Sequence, residues 1–224
     1  MDSQATQQEV QRLVELLRSR AVEQCLEAAI ELKTSGVRTR GVVRTRGAVM
    51  HSATQRMEGL DFAPALEALA DAHWEVRREV SLAVGEWGDE LSVEVLGHLA
   101  CTDSEWRVRV AVAEALANIG GPQAVVVLKR MAQTDPHQEV RAKGVEGLGN
   151  LALATWPELA DKPARDARGP VRTRGAIRVR GARPSKRVHP EAEAILDLLD
   201  QLRFYDQSSV VRDAADATLA RLDE

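Results

Sequence analysis

The sequence predicts an all-α solenoid of about five to six helical pairs. Three observations favour this class. Hydrophobic residues make up 44% of the 224 residues but aromatic residues only 3%, so the core must consist mainly of Ala, Val and Leu. Such small side chains suit short helices in close contact. A spacing of Asp, four residues and then Val-Arg recurs along the chain, and an apolar pattern of helical period follows it.

The recurring spacing defines the repeat. Successive Val positions lie 32, 32, 31 and 40 residues apart, which is the near-constant period expected of a repeat architecture. The five sets are Asp71, Val76 and Arg77; Asp103, Val108 and Arg109; Asp135, Val140 and Arg141; Asp166, Val171 and Arg172; and Asp206, Val211 and Arg212.

The clearest helices follow Val76, Val108 and Val140. In VRREVSLAVGEWG, VRVAVAEALANIG and VRAKGVEGLGNLA, apolar residues fall at places one, five, eight or nine and twelve, with Gly144 at place five as the exception. Another amphipathic segment precedes most of the Asp positions, so each unit reads as helix, turn, helix. The Asp is expected to end the first helix or to cap the second. Because neither helix can bury its stripe alone, the units must stack.

This pattern of an apolar helix, Asp and V-R-x-x-A-A-x-A-L-G-x-I-G resembles HEAT repeats. More narrowly, it resembles the short bacterial type named after phycobilisome lyases, most closely over 63–152 and 191–224. The resemblance implies a right-handed solenoid. It also implies a ladder in which the repeated Asp and Arg residues, those at Asp166 and Arg172 included, link successive units.

We expect one domain over 1–224. Its parts are N-terminal capping helices at 1–36, an Arg-rich variant unit at 37–62, regular repeats at 63–152, a second Arg-rich variant unit at 153–190 and a C-terminal repeat at 191–224. In both variant units, the Val-Arg of the Arg-rich run is expected to begin a second helix.

The two Arg-rich runs dominate the charge pattern. They read VRTRGVVRTRG at 37–47 and VRTRGAIRVRG at 171–181, and the stretch 162–187 alone carries a net charge of +9 in a chain of net charge −4. Three interpretations stay open: repeat helices with solvated arginines, a docking surface for an acidic partner, or contacts to nucleic acid. Nucleic acid is disfavoured, because the runs contain no aromatic residue for base stacking and the rest of the chain is acidic.

The candidate partner-binding residues fall into three groups. The first comprises arginines of the two runs: Arg38, Arg40, Arg44, Arg46, Arg172, Arg174, Arg178 and Arg180. The second comprises residues of the regular units expected to point away from the core on the concave surface: Arg78, Glu86, Glu114 and Glu146. The third comprises Trp74 and Trp106, which lie in the turns and serve either as contact anchors or as packing between units.

No catalytic motif accompanies the repeats. The five histidines lie in different units, none is followed by Glu as in repeat proteins of the HEAT-type iron hydroxylase class, and the sequence has no nucleotide-binding, nucleophile-elbow or zinc-ligand spacing. Cys25 and Cys101 are isolated and are expected to be buried small hydrophobic residues. We therefore expect no cofactor and no metal.

The sequence favours a non-catalytic scaffold that binds a protein with an acidic patch. The alternative, implied by the resemblance, is a phycobilin lyase-like or lyase-chaperone protein that handles a tetrapyrrole on phycobiliproteins. The polar N-terminus lacks the apolar core of a signal peptide, and no apolar run reaches the length of a membrane span. These features predict a cytoplasmic protein.

Overall fold

The computed structural model describes residues 8, 11–13, 15–17, 22–39, 63–87, 90–155 and 190–223. Within these ranges the regular structure is helical and contains no strand, as predicted. The described helices are α1 (Val22–Thr39), α2 (Ala63–Ala68), α3 (Trp74–Trp87), α4 (Glu90–Thr102), α5 (Trp106–Ile119), α6 (Gly121–Thr134), α7 (Gln138–Thr155), α8 (Pro190–Tyr205) and α9 (Ser209–Asp223).

The helices form two rows. The second helices α3, α5, α7 and α9 pack side by side in chain order, and α1 packs on α3 at the start of the row. The first helices α2, α4, α6 and α8 each pack on the second helix that follows them in the chain. This is the stacked arrangement of helical pairs that the repeat predicts.

The apolar stripe of the second helices forms the core. Val76, Val108, Val140 and Val211, which open the stripe in four units, are all fully buried. The first helices contribute Leu96, Leu128 and Leu199, each at the seventh residue before its Asp and each fully buried. Equivalent places of the repeat are therefore buried in the core of each of these units.

Small residues set the distance between neighbouring helices. A Cβ atom at Gly85 of α3 would lie 2.5 Å from the Cα atom of Ala115 in α5. One at Gly144, the residue that departs from the apolar stripe, would lie 3.0 Å from the backbone nitrogen of Ala132 in α6. Glycine is required at position 85 because the neighbouring backbone occupies the space of a side chain, and at position 144 a Cβ atom would fit only if the backbone of α6 shifted by a few tenths of an ångström.

The connection between α5 and α6 is a single residue. Gly120 has a φ of 76° and donates its backbone N–H to the carbonyl of Leu116, which ends α5. Gly121 also has a positive φ, of 86°, and Pro122 follows in the first turn of α6. Glycine tolerates this left-handed geometry and Pro is pre-organised for a helix start, so the chain reverses within one residue.

The start of the chain departs from the sequence prediction. α1 runs through Val37 to Thr39, so Val37 lies in the last turn of a helix and does not begin one. The expected boundary between residues 36 and 37 therefore falls within α1. α1 packs on α3 in the row of second helices. The pKa of the Cys25 thiol in α1 is raised by burial and by the negative charge of Asp71, which lies in the turn before α3. The beginning of α1 thus lies beside the turn that precedes α3.

The two cysteines differ. Cys25 is buried as expected, with its thiol bonded to the carbonyl of Leu17. Cys101, which was also expected to be buried, is exposed on the last turn of α4. The reason is its place in α4, since the core side of that turn is occupied by Ala100.

Candidate protein-binding face

A ladder of Arg–Asp pairs runs along one edge of the stacked units. Arg109 donates from Nε and Nη2 to the two carboxylate oxygens of Asp135, at 2.8 and 2.9 Å. Arg77 binds Asp103 in the same bidentate way, at 2.7 and 2.9 Å. Each pair joins the second helix of one unit to the turn of the next, as the resemblance implied.

Each pair also orders the turns themselves. The Nη1 atom of Arg109 donates to the carbonyl of Asp103 in its own unit, and the Asp103 carboxylate accepts the backbone N–H of Glu105. Burial of Asp103 opposes its ionisation, but the bonds from Arg77 and from this N–H outweigh it and lower the pKa of Asp103. Because three such pairs join neighbouring second helices through bidentate bonds, they hold the described units together.

The ladder corrects one expectation. The resemblance implied a ladder that links successive units, with Asp166 and Arg172 included. Arg141 donates from Nε and Nη2 to Asp206, at 3.0 and 2.9 Å, and so pairs with the repeated Asp that comes after Asp166 in the sequence. The reason is that α7 packs directly on α9, which brings the turn before α9 to Arg141. Asp166 and Arg172 lie outside the described residues.

Trp74 and Trp106 lie along the same edge and stack with their neighbours. The guanidinium carbon of Arg107 lies 5.4 Å from the ring centre of Trp74 and 4.6 Å from that of Trp106. Trp106 also stacks on His137 of the next unit, with ring centres 4.2 Å apart. Both indoles are half-buried against the core. These contacts make packing between units a direct role of the two side chains.

The other predicted residues of the regular units share a surface. We call the outward side chains of α3, α5, α7 and α9 the second-helix face. Glu114 and Glu146 are exposed there, and Lys143 lies between them at 3.5 and 3.3 Å. Glu86 accepts a bond from Asn118 at 3.0 Å, and Arg78 is paired with Glu79. The face is thus polar, with side chains bonded across neighbouring helices.

The sequence reasoning missed Lys143, which links Glu114 and Glu146. Lys143, Asn118 and Asn150 lie on the second-helix face, where Asn150 accepts a bond from Arg221 at 3.1 Å. The repeat places Asn118 and Asn150 on the outward side, because both occupy the eleventh place of their units, which Glu86 and Arg221 occupy in the units on either side.

The predicted arginines of the two runs fall almost wholly outside the described residues. Arg38 lies in the last turn of α1, but its side chain is not among those described. The others lie outside the described ranges: Arg40, Arg44, Arg46, Arg172, Arg174, Arg178 and Arg180. α1 ends at Thr39 and α7 ends at Thr155. The first run therefore begins in the last turn of α1, and the second begins after the end of α7 in the sequence.

Two grooves interrupt the described surface. One, of about 520 Å³, lies between the first helices α6 and α8 and is lined by Gln133, Leu198, Leu202 and Tyr205, together with the Arg141–Asp206 pair. The other, of about 310 Å³, lies on the second-helix face between α7 and α9. Across the described ranges, no group of three His, Cys, Asp or Glu side chains could hold a metal ion. None of the helices found there is long and apolar enough to cross a membrane.

Comparison with known proteins supports the repeat assignment. Residues 62–149 match the family described as HEAT repeats. No curated protein matches the chain. An engineered protein solved by the Northeast Structural Genomics Consortium is 19% identical, with a TM-score of 0.50 over 95% of this chain and 78% of that one.

A second solved structure is a designed armadillo repeat protein in complex with the peptide (KR)4. It is 17% identical, with a TM-score of 0.51 over 95% of this chain and 81% of that chain. At such identities the likeness concerns the fold alone. Together with the two rows of helices and the Arg–Asp ladder, these matches support a helical repeat fold of the HEAT/armadillo type.

Proposed function

We propose that this chain is a non-catalytic scaffold that binds a protein partner on its second-helix face and through its Arg-rich runs. The observation that carries the proposal is the face itself. Four second helices lie side by side and present polar side chains that are already bonded between neighbouring helices, as in the Glu114–Lys143–Glu146 set. Solenoids use such continuous surfaces for recognition.

The pre-ordered side chains favour binding. An interface whose side chains are held before the partner arrives loses less conformational entropy on association. On this face Lys143, Asn118 and Arg221 hold their neighbours within 3.0 to 3.5 Å. The repeat architecture and the peptide complex of the designed armadillo repeat protein support a protein or peptide as the ligand.

The Arg-rich runs give the proposal its charge specificity. The stretch 162–187 carries a net charge of +9, and four arginines lie in 37–48. Such a concentration of one charge attracts a partner of the opposite charge and speeds its association. The acidic patch that the runs would contact belongs to the same partner that covers the second-helix face.

Affinity capture tests the proposal. The chain is immobilised, exposed to lysate of its source cells at about 50 mM and about 500 mM salt, and the eluate is identified by mass spectrometry with an absorbance scan. We expect a protein that is retained at low salt and released at high salt. Replacing Arg172, Arg174, Arg178 and Arg180 by Ser should weaken its capture, whereas replacing the same four residues by Lys should preserve it.

Charge reversals separate the two parts of the surface. The pair Glu86→Lys and Glu114→Lys should abolish capture, because both side chains lie on the second-helix face. The matched pair Glu94→Lys and Glu193→Lys lies on exposed places of first helices and should leave capture unchanged. Equal loss with both pairs contradicts the proposed face. A coloured eluate that contains a tetrapyrrole protein would favour the lyase-like alternative instead.

A further inference from the structure

The helix that follows the groove between α7 and α9 differs at several places from the helix that follows the joint between α5 and α7, and at one of these places a lysine is replaced by alanine. The lining of this 310 Å³ groove consists of Glu146, Asn150, Ala214, Ala217, Thr218 and Arg221. Counting from the buried Val that opens each second helix, Ala214 stands at place four of α9. Place four of α7 is Lys143.

Lys143 shows what this place can do. Its ammonium group lies 3.5 Å from the carboxylate of Glu114 in α5 and 3.3 Å from that of Glu146 in its own helix. It therefore fills the joint between α5 and α7 with a cation that bridges two carboxylates. Because α7 and α9 pack in the same parallel manner, a side chain of this length at place four of α9 would reach toward Glu146.

Alanine at this place leaves the position open. Ala214 and Ala217 present only methyl groups to the groove, while Glu146 forms its opposite wall. The Lys143 bond uses Oε2 of Glu146, and the side chain of Glu146 is 48% exposed. The carboxylate can therefore accept a second cation through Oε1 without losing the first.

The positive charge of Arg221 lies at the other end of the groove. Its Nη1 atom donates to Oδ1 of Asn150, which follows Glu146 by one helical turn. This bond directs the guanidinium toward Asn150 and leaves the end beside Glu146, Ala214 and Ala217 open. The two ends of the groove thus have opposite charge, and only the Glu146 end has an unfilled place.

We propose that the groove between α7 and α9 is a subsite for a cationic side chain, a Lys or Arg of the bound partner, that takes beside Glu146 the place Lys143 fills one unit earlier. The subsite rests on the proposed protein-binding function and specifies one element of its partner. That partner then combines acidic groups opposite the Arg-rich runs with a basic side chain opposite α7 and α9.

Peptide binding to the full chain tests the subsite without knowledge of the natural partner. The probe is a fluorescein-labelled peptide of alternating Lys and Ser, compared with one of alternating Gln and Ser, by fluorescence anisotropy at low salt. We expect saturable binding of the Lys peptide only. Ala214→Lys should weaken binding about three- to fivefold, as loss of one exposed ion pair predicts, and Glu146→Gln should do the same.

Ala220→Lys is the matched control. Ala220 is exposed on the same helix and does not line the groove, so this variant adds the same charge elsewhere and should change affinity by less than about twofold. Equal weakening by both Lys variants, or no saturable binding of the Lys peptide, overturns the subsite. Circular dichroism shows that each variant is folded. Unchanged affinity of Ala214→Lys for the Lys peptide, with capture of a partner from lysate also unchanged, would sink the subsite while leaving the proposed function intact.

Discussion

Neighbouring second helices meet at two regular joints, between α3 and α5 and between α5 and α7, and at one long joint, between α7 and α9. The same Arg–Asp pairing is found at all three, although the length of chain between the units differs. At the regular joints, Arg77 meets Asp103 and Arg109 meets Asp135, each 26 residues further along the chain. At the long joint, Arg141 meets Asp206, 65 residues further along. The bidentate geometry is the same in all three. The pairing therefore follows the stacking of second helices, whatever length of chain lies between two units.

The first helices differ between the same joints. α4 and α6 pack together, with Gly97 of α4 in reach of Val127 of α6, where an added Cβ would come within 3.2 Å. The residue at the place of Gly97 in α6 is Lys129, and a groove of about 520 Å³ separates α6 from α8. In the described residues the long joint is thus held by its second helices, by the packing of α8 on α7 and by the Arg–Asp pair, and α6 and α8 pack less closely than α4 and α6.

Removing the arginine from one joint at a time gives the largest expected effect. Arg109→Met and Arg141→Met keep an unbranched apolar stem in place of the arginine stem and leave a buried carboxylate without its cation, which should cost about 2–4 kcal/mol of unfolding free energy in each case. Arg109→Met should destabilise the whole solenoid. Arg141→Met should loosen mainly α8 and α9, because the first helices α6 and α8 pack less closely than α4 and α6 do. Urea unfolding and hydrogen exchange measure the two effects, and equal exchange throughout the chain in both variants would contradict this distinction.

Close approach of helices gives the next largest effect. Gly85→Ala should cost about 1–3 kcal/mol, because the new Cβ would lie 2.5 Å from the backbone of Ala115. Gly149→Ala at the long joint should cost less, because its Cβ would meet the Cγ2 atom of Thr218 at 2.1 Å, and this side chain can rotate. Gly97→Ala is the control and should change stability by less than about 1 kcal/mol. The order of melting temperatures checks the prediction.

Acid should lower the stability that the Arg–Asp pairs contribute, both at the regular joint of Asp103 and at the long joint of Asp206. Burial raises the pKa of Asp103 and of Asp206, but the bonds from Arg77 and Arg141 outweigh it and leave both pKa values lowered. A lowered folded-state pKa contributes stability that is fully present above the ordinary Asp pKa of about 4 and is lost as the pH falls through the folded value. Urea midpoints between pH 7 and pH 2.5 should fall most steeply below about pH 4.

The arginine variants provide the control for this pH dependence. Arg77→Met should remove the contribution of Asp103, and Arg141→Met that of Asp206, so both variants should show a shallower loss of stability in acid. An unchanged acid slope in Arg141→Met would mean that its pairing with Asp206 contributes nothing.

The smallest effect concerns a buried hydroxyl at the long joint. Thr218 is 1% exposed, and its Oγ1 atom has no hydrogen-bond partner among the described residues. Thr218→Val keeps the shape and removes this unsatisfied group, so it should stabilise the protein by up to about 1 kcal/mol. Ser81 of α3 offers the contrast, because its hydroxyl donates to the carbonyl of Arg77 at 2.7 Å. Ser81→Ala should be destabilising, and a loss of stability in Thr218→Val would refute the assignment.

Local features of the fold could be predicted from the sequence. The apolar period identified Val76, Val108, Val140 and Val211 as core residues, and all are buried. The repeated Asp identified the turns, because an Asp side chain satisfies free N–H groups at a helix start wherever it occurs. Such features depend only on residues within about one unit.

Features that depend on which units meet in space could not be predicted. The repeat did not show which Asp meets Arg141, because Asp166 is the next repeated Asp along the sequence, whereas α9 lies next to α7 in space. Val37 was expected to begin a helix because it precedes Arg38. The Asp that marks the turn before the other second helices is missing there, since Leu32 stands in its place. The bridge by Lys143 required knowledge that Glu114 lies opposite it.

The most direct test of the pairing across the long joint is a pair of double-mutant cycles. One combines Arg141→Met with Asp206→Asn, and the other combines Arg141→Met with Asp166→Asn, with unfolding free energies measured in urea at pH 7. We predict a coupling energy of about 1–3 kcal/mol for Arg141 with Asp206 and none with Asp166. A coupling of that size with Asp166, or none with Asp206, would contradict the direct stacking of α7 on α9.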